Sequence, residues 1–172
     1  NVRHLDKHDF YREQLKLEKT IKGLSTMKEN IEKSIAQLQN EMGLPEREDV
    51  PVIGIVSRLV GHKGLDLVKC VFEDMLKSDV QFAILGSGEW EFETFFHDMA
   101  QKYPDKIGLK LGFNPELAHK IYAGADMFLM PSKSEPCGLS QMVALRYGSV
   151  PIVRETGGLK DTITDSGDGI GN

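Results

Sequence analysis

From Val50 onward the chain repeats one pattern, a short and almost wholly apolar run followed by an amphipathic stretch of helical length. The runs, rich in Val, Ile, Leu and Phe, fall at about 52–56, 80–85, 107–111, 126–130 and 150–153. The amphipathic stretches between them fall at about 64–77, 89–103, 115–123 and 138–147. Each run is too short for a helix and too continuously apolar for a strand wetted on one face. That combination marks a parallel sheet covered by helices on both sides. The expected fold class is therefore α/β, a doubly wound Rossmann-like sheet occupying residues 50–172. In such sheets ligands sit beyond the carboxyl ends of the strands, so the residues that follow each run are the ones to inspect.

Composition narrows the field further. With 172 residues, 40% of them hydrophobic and 27% charged, the chain can bury about 70% of its unfolded surface. Disorder and a disulfide scaffold are excluded. The longest apolar runs, such as Val52-Ile53-Gly54-Ile55-Val56, fall far short of the roughly 20 residues of a membrane span, and the start of the chain has no basic-then-apolar leader pattern. The expectation is a soluble cytoplasmic protein, or a plastid one in a plant, with no membrane partner. Cys70 and Cys137 lack metal-type spacing and read as reduced thiols or as a single bridge. A net charge of -5 gives no reason to expect nucleic acid.

Residues 1–49 have a different texture. Leu17, Ile21, Leu24, Ile31, Ile35, Leu38 and Met42 recur in steps of three and four, with Lys28 in the one gap, which places them on one helical stripe. Gly23 interrupts the stripe, and Thr26-Met27-Lys28-Glu29 has the form of a capping box. These features predict two helices, about 8–22 and about 27–42, the second stopped by Gly43 and Pro45. The stripe either folds onto the following domain or forms a seam for self-association. Glu46-Arg47-Glu48-Asp49 reads as a charged linker. His4 and His8 stand one helical turn apart without a third ligand, and no metal site is assigned to them.

The strand ends carry the chemistry. After the first run, Arg58 and Lys63 stand among two glycines in Ser57-Arg58-Leu59-Val60-Gly61-His62-Lys63-Gly64. A strand-to-helix turn already favours an anion, so the two cations are candidate phosphate ligands, against the plainer reading of a solvated basic loop. After the second run, Gly86-Ser87-Gly88 is followed by Glu91 where a dinucleotide fingerprint needs its third glycine. An NAD site is thus poorly supported, and a tight turn is the competing reading. After the third run, Phe113 lies between Gly112 and Asn114-Pro115, placed to stack on a base or to fill core. After the fourth, Glu135 sits in Pro131-Ser132-Lys133-Ser134-Glu135-Pro136-Cys137-Gly138-Leu139. There it can accept from sugar hydroxyls while the Gly138 and Leu139 amides face a phosphate. Cys137 as a nucleophile finds no His base nearby. After the fifth, Thr156-Gly157-Gly158 opens a short helix, again an anion-suited turn.

At these residues the sequence resembles the glycogen and starch synthases, retaining glucosyltransferases of the two-domain GT-B architecture. The resemblance spans about residues 36–165 and rests on Ser57-Arg58-Leu59, Lys63-Gly64-Leu65-Asp66-Leu67, Gly86-Ser87-Gly88, Tyr122-Ala123-Gly124-Ala125-Asp126, Glu135-Pro136-Cys137-Gly138-Leu139, Arg146-Tyr147-Gly148, and Arg154 with Thr156-Gly157-Gly158-Leu159-Lys160-Asp161-Thr162. It implies a site for ADP-glucose or UDP-glucose. In it Arg58 and Lys63 hold the diphosphate, Glu135 binds glucose hydroxyls and Phe113 stacks on the base. Gly86, Cys137, Gly138, Leu139, Thr156, Gly157 and Gly158 complete the donor pocket. It also implies transfer to the 4-hydroxyl of an α-1,4-glucan, without metal or cofactor. Lys133-Ser134 departs from the Arg and aromatic usual in relatives. Sucrose and trehalose-phosphate synthase types, the alternative GT-B transferases, often carry a second Glu where Val143 stands. The family's amino-terminal domain, with its Lys-x-Gly-Gly-Leu loop and acceptor groove, has no counterpart in these residues, nor do its final helices. The expectation is a donor-binding half, cut short at its carboxyl end, that binds a nucleotide-sugar without turning it over alone.

Overall fold

A computed structural model describes residues 7–164, with side chains from residue 14 onward; His4 and His8 lie outside the described side chains. One helix, α1 (Lys7–Met42), leads into β1 (Val52–Val56), a 3-10 turn (Gly61–Lys63) and α2 (Leu65–Met75). Then follow β2 (Gln81–Gly86), α3 (Trp90–Lys102), β3 (Ile107–Leu111), α4 (Pro115–Gly124), β4 (Met127–Met130), α5 (Ser140–Tyr147), β5 (Val150–Val153) and α6 (Gly157–Thr162). The strands form one parallel sheet in the order β3-β2-β1-β4-β5. The doubly wound expectation is met, and the order reverses between β1 and β4.

Strand alternation explains the layering. Ile53 and Ile55 of β1, with Phe82 and Ile84 of β2, face α2 and α3, where Phe72, Phe96 and Met99 close the core. Val52, Ala83 and Leu85 face the opposite side, against Leu117 and Ile121 of α4 and Leu38 and Met42 of α1. Tyr122, Phe128, Met130, Ala144 and Leu159 extend that layer toward α5 and α6. Asp126 staples β4 to β1: its carboxylate accepts from the Val52 amide at 2.8 Å, and its own amide donates to the Val52 carbonyl at 2.9 Å.

The expected break near residue 23 is corrected, because α1 runs unbroken through Gly23 and Thr26. The Thr26 hydroxyl donates back to the Lys22 carbonyl at 3.1 Å instead of capping a new helix. A helical glycine costs only about 1 kcal/mol, less than freeing the backbone groups of two additional helix ends. The helix stops at Gly43, whose φ of 73° is left-handed. Only its last turns join the domain. There Gln39, buried in α1, donates to Gln81 at 2.7 Å and to the Arg47 carbonyl at 3.0 Å, while Gln81 donates to the Pro45 carbonyl at 2.9 Å. Among the described residues no helix is long and apolar enough to cross a membrane.

Candidate functional site

The carboxyl ends of β1 and β4 adjoin at the point where the strand order reverses. The loops leaving them are joined through their backbones. Lys133 donates its amide to the His62 carbonyl at 3.0 Å. Gly64, held at φ 75°, packs so closely on Pro131 that a Cβ would collide with the Pro131 carbonyl. A side chain is thus excluded twice over at Gly64, by conformation and by space.

This approach brings together two of the predicted residues from positions 72 apart. The Lys63 ammonium lies 2.5 Å from the Glu135 carboxylate, and the two side chains are only 17% and 13% exposed. Ser132, fully buried, donates to the same carboxylate oxygen at 3.2 Å. Arg58 stands on the rim and donates to His62 Nε2 at 3.3 Å. Arg58, Lys63, Ser57, Ser132 and Ser140 share a cavity of about 180 Å³ floored by Ile55 and Leu129. A lysine and carboxylate this far from water hold each other in place, and loss of either strands the other's charge. The pair plus Arg58 leaves the mouth with one surplus positive charge, suited to an anion.

The other predicted residues fall into distinct groups. Gly86 closes β2, and a Cβ there would strike the Ser57 carbonyl, so its role in the structure is to let the β1 loop lie against it. Phe113 follows β3, two strands from β1 and so about 10 Å away. It is 92% exposed, which discards the core-filling reading. Cys137 is a free, exposed thiol, and Leu139 is also exposed. Gly138 adopts φ 67° and its carbonyl accepts from Gln141 at 3.0 Å, fixing the entry to α5.

Thr156, Gly157 and Gly158 take a role that the sequence did not suggest. The Gly158 amide donates to the Glu135 carbonyl at 2.9 Å, so it is committed to protein and does not face a phosphate as expected. Added Cβ atoms at Gly157 and Gly158 would run into the Glu135 and Cys137 carbonyls. The Thr156 hydroxyl donates to the Lys133 carbonyl at 3.4 Å. Together they clamp the loop that carries Glu135. Lys133 itself points away from the cavity to Asp66, 2.6 Å off. That hydrogen bond holds the Asp66 carboxyl below its ordinary range, against the opposing effect of desolvation. Nothing in the sequence marks Ser132 as a partner of Glu135, since a serine in a turn is ordinary and its burial appears only in the folded site.

Comparison with known proteins agrees with this fold. The family model for glycosyl transferases group 1 matches residues 36–170. The glycogen synthase of Anoxybacillus flavithermus is 67% identical over 126 residues, covering 73% of this chain and 26% of that relative. That of Geobacillus stearothermophilus is 61% identical over the same coverage. The chain therefore spans about a quarter of the length of these curated relatives. The catalytic domain of starch synthase IV from Arabidopsis thaliana, bound to ADP and acarbose, matches with a TM-score of 0.73 and 38% identity over 81% of this chain and 29% of that one. With its matched span, its reversed strand order and its cation-lined switch point, the chain belongs to the glycosyl transferases group 1.

Proposed function

We propose that this chain is the donor-binding half of a glucosyltransferase of the glycogen and starch synthase type. It takes ADP-glucose or UDP-glucose, and the assembled enzyme passes glucose to the 4-hydroxyl of an α-1,4-glucan with retention. The observation that carries this is the Lys63–Glu135 pair at the strand-order reversal, with Arg58 beside it. Identity of 67% to a glycogen synthase and the ADP in the starch synthase structure support the same donor class.

In this reading Arg58 and Lys63 bind the diphosphate. As the bond between the glucose anomeric carbon and the phosphate oxygen breaks, the electron pair leaves on the diphosphate, the acceptor 4-oxygen bonds to the anomeric carbon, and the hydroxyl proton passes to the departing phosphate oxygen. Fixed positive charge offsets that growing negative charge, most strongly once the assembled enzyme excludes water from the site. Glu135, released from Lys63 by the incoming phosphate, accepts from glucose hydroxyls. Phe113, exposed before the ligand arrives, stacks on the base, and a stacking ring accepts adenine or uracil alike. Gly138 and Leu139 approach the phosphate by their backbone, while Thr156, Gly157 and Gly158 serve by holding the Glu135 loop. The reading calls on no metal or cofactor.

Calorimetry with ADP tests it. Each hydrogen bond to a charged group contributes about 1.5–3 kcal/mol, so the Arg58→Ala, Lys63→Ala double variant is expected to weaken ADP by a hundredfold or more. Unchanged affinity in a folded double variant would remove the diphosphate site from this position.

A further inference from the structure

The apolar stripe of α1 has two halves with different fates. Its positions Leu17, Ile21, Leu24, Lys28, Ile31, Ile35, Leu38 and Met42 step by four and three without a slip, a heptad seam. Ile35, Leu38 and Met42 pack into the core against Leu117 and Ile121 of α4. The helices approach closely there, since a Cβ on Gly124 would come within 2.6 Å of the Ser34 carbonyl. The Lys120 ammonium, 2.8 Å from the Glu41 carboxylate, fastens the same contact. Above it, residues 14–33 are exposed throughout. Leu17, Ile21, Leu24 and Ile31, with Met27 beside them, are between 48% and 62% exposed.

We infer that this upper half is a self-association surface on which a second copy of the chain lies antiparallel. The seam on it is the continuation of an interface already formed with α4, so the surface has the spacing that accepts another helix. A parallel copy is excluded by shape. A helix following the seam in the same direction would reach residues 35–42 and meet α4, which already occupies that place. An antiparallel copy directs its own domain to the far end and pairs residues 14–33 with residues 15–34 of the other chain; only its first helical turns, residues 7–13, reach the other chain's α4, and there the helix end has to leave the seam. A two-fold axis near Leu24 sets Leu17 against Ile31 of the other copy, along about 21 Å of helix. Such a contact is isologous and closes as a dimer. The two stripes together bury on the order of 1,000 Å², the lower end for a specific interface, which predicts a dimer that dissociates on dilution. Lys28, 3.5 Å from Glu32 on its own helix, is the one polar member of the seam. A single polar seam position fixes register at a cost in stability.

Sedimentation equilibrium on the full chain over a wide concentration range is the first test. Two chains of 19.2 kDa are expected to associate reversibly. The Ile21→Glu, Leu24→Glu variant should lose association, with its far-ultraviolet circular dichroism reporting whether the helix persists. Orientation is read separately in a Cys70→Ser, Cys137→Ser background. Leu17→Cys and Ile31→Cys chains should each stay uncrosslinked on oxidation, because like positions lie too far apart for a disulfide. Their mixture should form a covalent dimer. A monomer at every concentration, a dimer indifferent to the glutamate substitutions, or crosslinking of each cysteine variant with itself would overturn the inference. None of these results bears on the nucleotide site.

Discussion

At the scale of single residues, the Lys63–Glu135 contact makes two groups with different ligands compete for each other. In the absence of donor the lysine is neutralised by a carboxylate 2.5 Å away, and Ser132 steadies that carboxylate from below. In the proposed binding mode a diphosphate displaces the carboxylate from the lysine, and the carboxylate then finds its next partners in the sugar. This ordering gives Glu135→Gln a signature that simple loss of a contact would not. The variant should bind ADP as well as or better than the parent, because the carboxylate no longer competes for Lys63. It should lose the extra affinity that glucose adds, by about ten- to a hundredfold on the basis of about 1.5–3 kcal/mol for a charged hydrogen bond. Paired calorimetric titrations with ADP and ADP-glucose measure both effects. Equal weakening of both ligands would mean that Glu135 holds the loop and does not touch the sugar.

At the scale of elements, the site exists because loops are pressed together more tightly than side chains allow. Gly64 against Pro131, and Gly157 and Gly158 against the Glu135 turn, are the points of closest approach. Gly64→Ala and Gly148→Ala separate two costs that usually travel together. Gly148 also has a left-handed φ, 89°, but its Cβ would meet open space, so alanine there adds only conformational strain, about 1–2 kcal/mol. Gly64→Ala adds the collision with Pro131, which must part the two loops and draw Lys63 from Glu135. Thermal melting should fall by several degrees more for Gly64→Ala than for Gly148→Ala, and only the former should weaken ADP. Equal melting losses would show that the close approach is not under constraint. These contacts also mark what was legible beforehand. Continuous apolar runs placed all five strands to within a residue or so: burial on both faces accounts for β1, β2 and β4, whereas the edge strands β3 and β5 keep apolar runs although Leu111, Val150 and Ile152 are exposed. Glycines in the strand-end turns were visible as residues, but their partners were not. A glycine that admits a phosphate and one that admits a carbonyl look alike until strand order is known. The unbroken α1 departs from the two expected helices for a related reason: a capping-box sequence competes with a continuous helix, and the local energies at Gly23 and Thr26 differ too little to decide.

At the scale of the molecule, the sheet supplies one wall of a site and the cation pair at its reversal, but little enclosure. The cavity beside Lys63 is about 180 Å³, whereas pockets that enclose a ligand of drug size run to about 300–1,000 Å³. Phe113 stands almost fully exposed on the same edge of the sheet. A nucleotide-sugar laid from Phe113 to Glu135 would thus keep much of its surface in water, and its anomeric carbon would be open to solvent. The 126 matched residues make up only 26% of the Anoxybacillus flavithermus relative, which leaves it the length to build an opposing wall. Rate enhancement in such a site depends on excluding water around the developing charge, so binding and transfer should separate in the 172-residue chain. It is expected to bind ADP measurably and to transfer no glucose from labelled ADP-glucose to glycogen above the level of a Lys63→Ala control. Transfer clearly above that control would mean that one sheet and its loops suffice for the chemistry, and that the opposing wall in longer relatives serves chiefly to hold the acceptor.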